Sequence, residues 1–152
     1  MGRPVMAARV AGRGSAALRA DVRKRLDEDR LTRALARYEV AVAAGRATLV
    51  GHVRSRQLAR GMAEAARRVR GVSAVEERLV ADDELEVRVA AAIGRGALNR
   101  SSRLVVRAEF GHVRIGGVYP SPEARAEALR LGGGVPGVVA ASAAWASDLI
   151  TS

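Results

Sequence analysis

Gly45, Gly51 and Gly71 recur as Gly111, Gly117 and Gly137 at a constant offset of 66 residues, and Leu49/Ile115, Val69/Val135 and Val72/Val138 keep the same offset. Upstream, Leu18, Val22, Leu26 and Leu31 match Leu85, Val89, Ile93 and Leu98 at an offset of 67, so a single-residue slip joins the two blocks. Self-similarity at a fixed period is the mark of a duplicated supersecondary unit, and the fold must be one that can be built twice. The 152 residues therefore divide into a basic tail over 1–15, expected to be flexible, a first unit over 16–81 and a second, more divergent unit over 82–152.

Within each unit the hydrophobic period changes in the same order. Leu18, Val22 and Leu26 are four apart, one stripe of a helix, and Ser15 stands where an N-cap is expected. Tyr38, Val40 and Val42 alternate with Glu39 and Ala41, Ala44-Gly45 predicts a tight turn, and Ala47, Leu49 and Val53 continue on one face, which reads as a β-hairpin. From Ser55 to Arg70 the residues Leu58, Met62, Ala65 and Val69 return to helical spacing, Gly71 is expected to end the helix, and Val75 and Leu79 restore strand spacing. The second unit repeats the order, with Asp82 or Asp83 capping a helix to about Ile93, strands over 104–110 and 113–119, a helix from Pro122 to Leu131 and a last strand through Trp145. The expected fold is α+β: two tandem α-β-β-α-β units, each a three-stranded mixed sheet packed against two helices, with a right-handed crossover before the last strand.

Hydrophobic residues make up 49% of the chain, enough for packed cores and too many for a disordered protein. The absence of cysteine removes disulfides, thiolate metal sites and cysteine nucleophiles. No run of about 20 apolar residues is present to span a membrane. Arginines at 3, 9 and 13 interrupt what would have to be the apolar core of a secretory signal. The sequence as it stands is expected to be cytoplasmic or peripheral at the inner membrane, and periplasmic or envelope-bound if an export signal precedes it.

The run from Gly45 through Leu49 and Gly51 to Val53, a Ser-capped helix, and then Gly71-Val72 with Val75 and Leu79 resemble the BON domain family, with its G-x-V-x-L-x-G-x-V hairpin and G-V-x-x-V-x-x-x-L closing strand. The second unit keeps Gly111, Val113, Ile115, Gly117, Gly137 and Val138, while Tyr119 and Ala141 replace two valines of the pattern. The resemblance implies a non-enzymatic module of bacterial envelope and osmotic-stress proteins, thought to bind phospholipid surfaces.

The chain carries a formal charge of +10, unevenly divided: three arginines and no acid in the tail, fifteen cations against eight acids in 16–81, and eight of each in 82–152. On the helix after Ser55, Arg56, Arg60 and Arg67 fall within about 40° of one another, and Arg70 borders the same stripe. An anionic bilayer attracts such a stripe, with Arg3, Arg9 and Arg13 as auxiliary contacts. A solvated outer face in an arginine-rich chain gives the same pattern: arginine accounts for 25 of the 26 cations, and Glu64 stands four residues from Arg60 and from Arg68. Both readings stay open on sequence alone. Nucleic acid is the less favoured anionic partner, because Tyr38, Phe110, Tyr119 and Trp145 all fall at strand positions expected to be core. The neutral second unit suggests an alternative role as a protein-interaction scaffold or a self-associating structural protein.

No cofactor or catalytic set is expected. His52 and His112 occupy unmatched positions of the repeat and have no third ligand in view. Glu76, Glu77, Asp82, Asp83, Glu84 and Glu86 form an acidic junction without the turn glycine of a calcium loop, expected to complement a helix N-terminus and the arginines of the first unit. Gly132-Gly133-Gly134 follows a helix rather than preceding one and reads as a stop, not a phosphate cradle.

Overall fold

The computed structural model describes residues 3–145, with side chains from Gly14 onward. The chain divides into two compact units, Met1–Leu79 and Val80–Ser152. In the first, helix α1 (Arg3–Asp27) and the short helix α2 (Arg30–Leu35) lead into strands β1 (Ala36–Ala43) and β2 (Arg46–Val53), helix α3 (Arg56–Arg67) and strand β3 (Ala74–Ala81). In the second, α4 (Asp82–Gly94) and a single 3-10 turn (Ala97–Asn99) lead into β4 (Arg103–Glu109), β5 (His112–Val118), α5 (Pro122–Gly133) and β6 (Ala140–Trp145). The sheets have orders β1-β2-β3 and β4-β5-β6 and both are mixed, as the repeat predicts; β5 and β6 run parallel.

The duplication extends to backbone angles. Ala44 and Phe110, first residues of the two hairpin turns, have φ of 49° and 48°, and Gly51 and Gly117 have 136° and 143°. Gly51 lies opposite Tyr38, and a Cβ added there would sit 2.7 Å from the Tyr38 Cα and overlap the Arg37 carbonyl oxygen. At Gly117, opposite Leu104, the added atom would overlap the Arg103 carbonyl. Close approach of the paired strand and left-handed backbone together leave only glycine at these positions. The loops after the second helix also match, since Ser73 N donates to the Gly45 carbonyl and Val139 N to that of Gly111, each at 2.8 Å.

Each sheet buries one face. In the first unit Tyr38, Val40, Ala47, Leu49 and Val53 pack with Val22 and Leu26 of α1 and Met62 of α3, whereas alternate residues of β1 are exposed. In the second, Leu85, Val89 and Ile93 of α4 cover Val113 and Ile115, with Ala124 and Ala128 of α5. Small residues let α5 approach closely: a Cβ on Gly132 would meet the Ile115 Cδ1 at 2.7 Å.

Several local expectations are corrected. Ser15 is not an N-cap, because α1 passes through it from Arg3. Residues 3–14, read from the sequence as part of the tail, form the first turns of α1. Helix α3 ends at Arg67, not at Gly71, which sits in the following turn with φ 102°. The buried stripe of α3 is Ala59, Met62, Ala63 and Ala66, while Leu58, Ala65 and Val69 are only half-buried. Three of these four buried residues are alanines, so the helix turns its small-residue face inward. Asp82 is the first residue of α4 rather than its cap, and Ala81 holds the capping position. The two short helical turns, α2 and Ala97–Asn99, carry no separate signal in the hydrophobic period; Leu31 and Leu98, part of the repeat, are exposed on them.

Candidate anionic-surface site

The proposed arginine stripe is brought together only in part. Ser55 caps α3, its side chain accepting from the Leu58 amide, and this starts the helix so that Arg56 turns back over the sheet. There its guanidinium donates to Glu77 Oε2 at 2.8 Å and to the Leu79 carbonyl at 3.0 Å, with the side chains of the pair 21% and 22% exposed. Arg56 thus ties α3 to β3 and differs from the rest of the set. Arg60 and Arg67 are exposed along the helix, and Arg70 is exposed in the turn beyond it. Glu64 Oε1 and Oε2 lie 3.8 Å from Arg67 and from Arg68, so one carboxylate stands between two guanidinium groups. Arg68, 73% exposed and outside the predicted stripe, therefore belongs to the same cluster. Arg3, Arg9 and Arg13 lie on the backbone of α1, and their side chains fall outside the described residues.

A second cluster joins α1 to β1. The Tyr38 hydroxyl donates to Asp27 Oδ1 at 2.6 Å, and Arg23 donates to Asp27 Oδ2 at 3.0 Å and to the Tyr38 carbonyl at 2.8 Å. The Arg23 guanidinium also lies 4.1 Å from the centre of the Tyr38 ring. Burial and the bond to Asp27 push the Tyr38 hydroxyl above its ordinary range. Burial alone would raise the Asp27 carboxyl, but the bonds from Tyr38 and Arg23 outweigh it and hold the group below its usual value. The sequence reading placed Tyr38 in the core and missed this network, whose signal is a strand tyrosine eleven residues after a helix-end aspartate.

The acidic junction has local uses. Glu76 bonds Arg78 and Glu77 bonds Arg56, while Glu84 pairs with Arg88 at four-residue spacing. Asp82, 1% exposed, accepts from the amides of Phe110 at 2.7 Å and Gly111 at 3.0 Å, closing the β4-β5 turn, and Glu86 accepts from Ala108 N at 2.9 Å. His52 lies on β2 and His112 begins β5, and among the described residues no three His, Cys, Asp or Glu side chains group as metal ligands. Gly132 and Gly133 end α5 and Gly134 caps it. Among the described residues no helix is long and apolar enough to cross a membrane.

Two copies of a small helix-on-sheet unit, with an exposed cationic cluster on the first, define a tandem α+β module. The BON domain profile matches residues 15–81 and again 81–140, and the chain belongs to the BON domain family. No curated protein matches the sequence. Among solved structures the fold is similar to the C-terminal domain of CdsD, the structural protein of the type III secretion system of Chlamydia trachomatis, at 15% identity and a TM-score of 0.60, covering 87% of this chain and 66% of that one. A second structure of CdsD gives 14% identity and a TM-score of 0.62, with 86% and 61% covered. This chain spans slightly under two thirds of the length of these structures, and at such identity the likeness is one of fold.

Proposed function

We propose that the protein is a non-enzymatic module that associates reversibly with anionic phospholipid surfaces through its first unit, as a peripheral protein. The observation that carries this reading is the exposed cluster Arg60, Arg67, Arg68 and Arg70, opposed locally by the single carboxylate of Glu64. Cations near an anionic leaflet are attracted by about 1 kcal/mol each, so three uncompensated charges favour the surface by a factor of roughly one hundred. Guanidinium groups also chelate phosphate oxygens in a bidentate way. Membership in the BON family supports the reading. Co-sedimentation with phosphatidylcholine and phosphatidylglycerol vesicles tests it: binding is expected to the anionic vesicles alone and to weaken between low and physiological salt. Duplex DNA added as competitor separates phospholipid from nucleic acid.

A second reading, a protein-interaction scaffold, is supported by large apolar side chains left exposed on several elements of the second unit. Val87, Val105, Val118 and Val139 are 69%, 48%, 60% and 59% exposed there. The likeness of fold to CdsD, described as a structural protein, agrees with it. Light scattering that finds a salt-insensitive monomer counts against self-association.

A further inference from the structure

The two copies of the hairpin differ in the side chains that face their turn amides. In the second unit the turn amides of Phe110 and Gly111 and the strand amide of Ala108 are all capped by carboxylates of α4, Asp82 and Glu86. Their counterparts at the repeat offsets are Ala44, Gly45 and Val42, and the positions of Asp82 and Glu86 are taken by Ser15 and Arg19. Arginine has no acceptor, and a serine hydroxyl is neutral. Ala44 and Gly45 form the same left-handed turn, with φ of 49° and 77° against 48° and 81° in the second unit. Three amides thus keep the arrangement that holds carboxylates in one copy, and among the described residues they have no acceptor in the other. Arg19, exposed beside them, replaces a negative charge by a positive one.

The surrounding backbone indicates how a ligand would lie. A groove between α1 and β1 occurs at this spot, lined by Ser15, Arg19, Val40 and Val42, and an adjoining one continues along β1 to Arg23 and Glu39. Strand β1 is a sheet edge, and Tyr38, Val40 and Val42 turn their peptide groups away from β2. The Tyr38 carbonyl shows this direction, because Arg23 reaches it from α1. Val40 and Val42 therefore present open strand positions running into the cradle formed by the turn amides.

We infer that this edge receives an extended peptide segment of a partner protein, paired with β1 through Val40 and Val42 and placing one Asp or Glu carboxylate on the Ala44 and Gly45 turn amides beside the Arg19 guanidinium. The ligand is a carboxylate because carboxylates occupy the equivalent place in the second unit. Glu39 at the far end of the groove repels a second acid and sets the register. None of the arginines of the proposed lipid site takes part, so the two proposals fail separately.

The test uses the full chain labelled with ¹⁵N and a blocked strand-forming peptide of about ten residues with one central Glu, beside a twin carrying Gln there. The Glu peptide is expected to shift the amides of Val42, Ala44 and Gly45 and to bind at least about tenfold more tightly than the Gln twin. The double variant Ser15→Asp/Arg19→Glu supplies the carboxylates of the second unit; it is expected to lose about tenfold or more in peptide affinity while its melting temperature holds or rises. Arg19→Gln, weakened several-fold, serves the same purpose if the double variant does not fold. Equal binding of the two peptides, unmoved cradle amides, or unchanged affinity in the Arg19 variants would each overturn the inference. Phosphatidylglycerol vesicles that shift these amides where the Glu peptide does not would overturn it in favour of lipid phosphate.

Discussion

Substituting Gly51 by alanine should remove the first unit from the folded population while sparing the second. The backbone at Gly51, with φ 136°, lies in a region that L-residues enter at a cost of about 1–3 kcal/mol. The new methyl would also be driven against the paired strand, 2.7 Å from the Tyr38 Cα, and forcing β1 and β2 apart costs roughly another 1–3 kcal/mol. A sum of about 2–6 kcal/mol is comparable to the whole stability of a unit of this size, which is about 3–10 kcal/mol. Far-UV circular dichroism and Trp145 fluorescence make a suitable pair of probes, because the only tryptophan lies in β6 of the second unit. Gly51→Ala should lose part of the dichroism signal at temperatures where Trp145 still reports a folded environment, and Gly117→Ala should reverse the pattern. Gly61→Ala on α3, where an added Cβ meets nothing within 4 Å, is the control and should stabilise by about 0.5–1 kcal/mol. If Gly51→Ala melts within about 3 °C of the wild type, the argument from close strand approach is wrong.

Asp82→Ala leaves the Phe110 and Gly111 amides without their carboxylate and should destabilise the second unit by about 2–4 kcal/mol, read from the urea midpoint of Trp145 fluorescence. Because Asp27 is held below its ordinary carboxyl value of 3.8, its contribution is fully present above about pH 4 and is lost as the pH falls through the lower folded value. Asp27→Asn should therefore flatten the acid limb of stability between pH 2 and 5; the amplitude is small because the side chain is 39% exposed, and an unchanged acid limb would show the network to be inert. Arg56→Gln should lower stability by about 1–3 kcal/mol by breaking its bonds to Glu77 and the Leu79 carbonyl, with little effect on vesicle binding. A large loss of vesicle binding in the folded Arg56 variant would return that residue to the surface site.

Much of the fold was legible because duplication leaves a record independent of propensity. Gly45, Gly51 and Gly71 could each have stood in any loop, but their recurrence at one offset identified them as positions of special backbone geometry, and all six have positive φ. The face of α3 was not legible: its buried residues include three alanines, and hydrophobicity alone favours Leu58 and Val69, which the close approach to the sheet leaves half-buried. The extension of α1 beyond Ser15 was hidden because a polar residue that caps helices is also tolerated within them. The surface site was legible as a charge excess but not as a geometry. Helical spacing put Arg56 beside Arg60, whereas Glu77, twenty-one residues away, draws it against the sheet. Arg68 entered the cluster from the other side, through a carboxylate shared with Arg67.

The most direct measurement is the partition of wild-type protein and an Arg60→Gln/Arg67→Gln/Arg70→Gln variant onto phosphatidylglycerol vesicles, titrated at low and at physiological salt. These side chains are exposed, so the variant should keep the wild-type melting profile. With about 1 kcal/mol contributed by each cation near the bilayer, its partition coefficient at low salt should fall by roughly one hundredfold and its salt dependence should shallow accordingly. Partition of the folded variant equal to that of the wild type, or no wild-type binding to anionic vesicles at low salt, would contradict the proposal that the first unit binds phospholipid through this cluster.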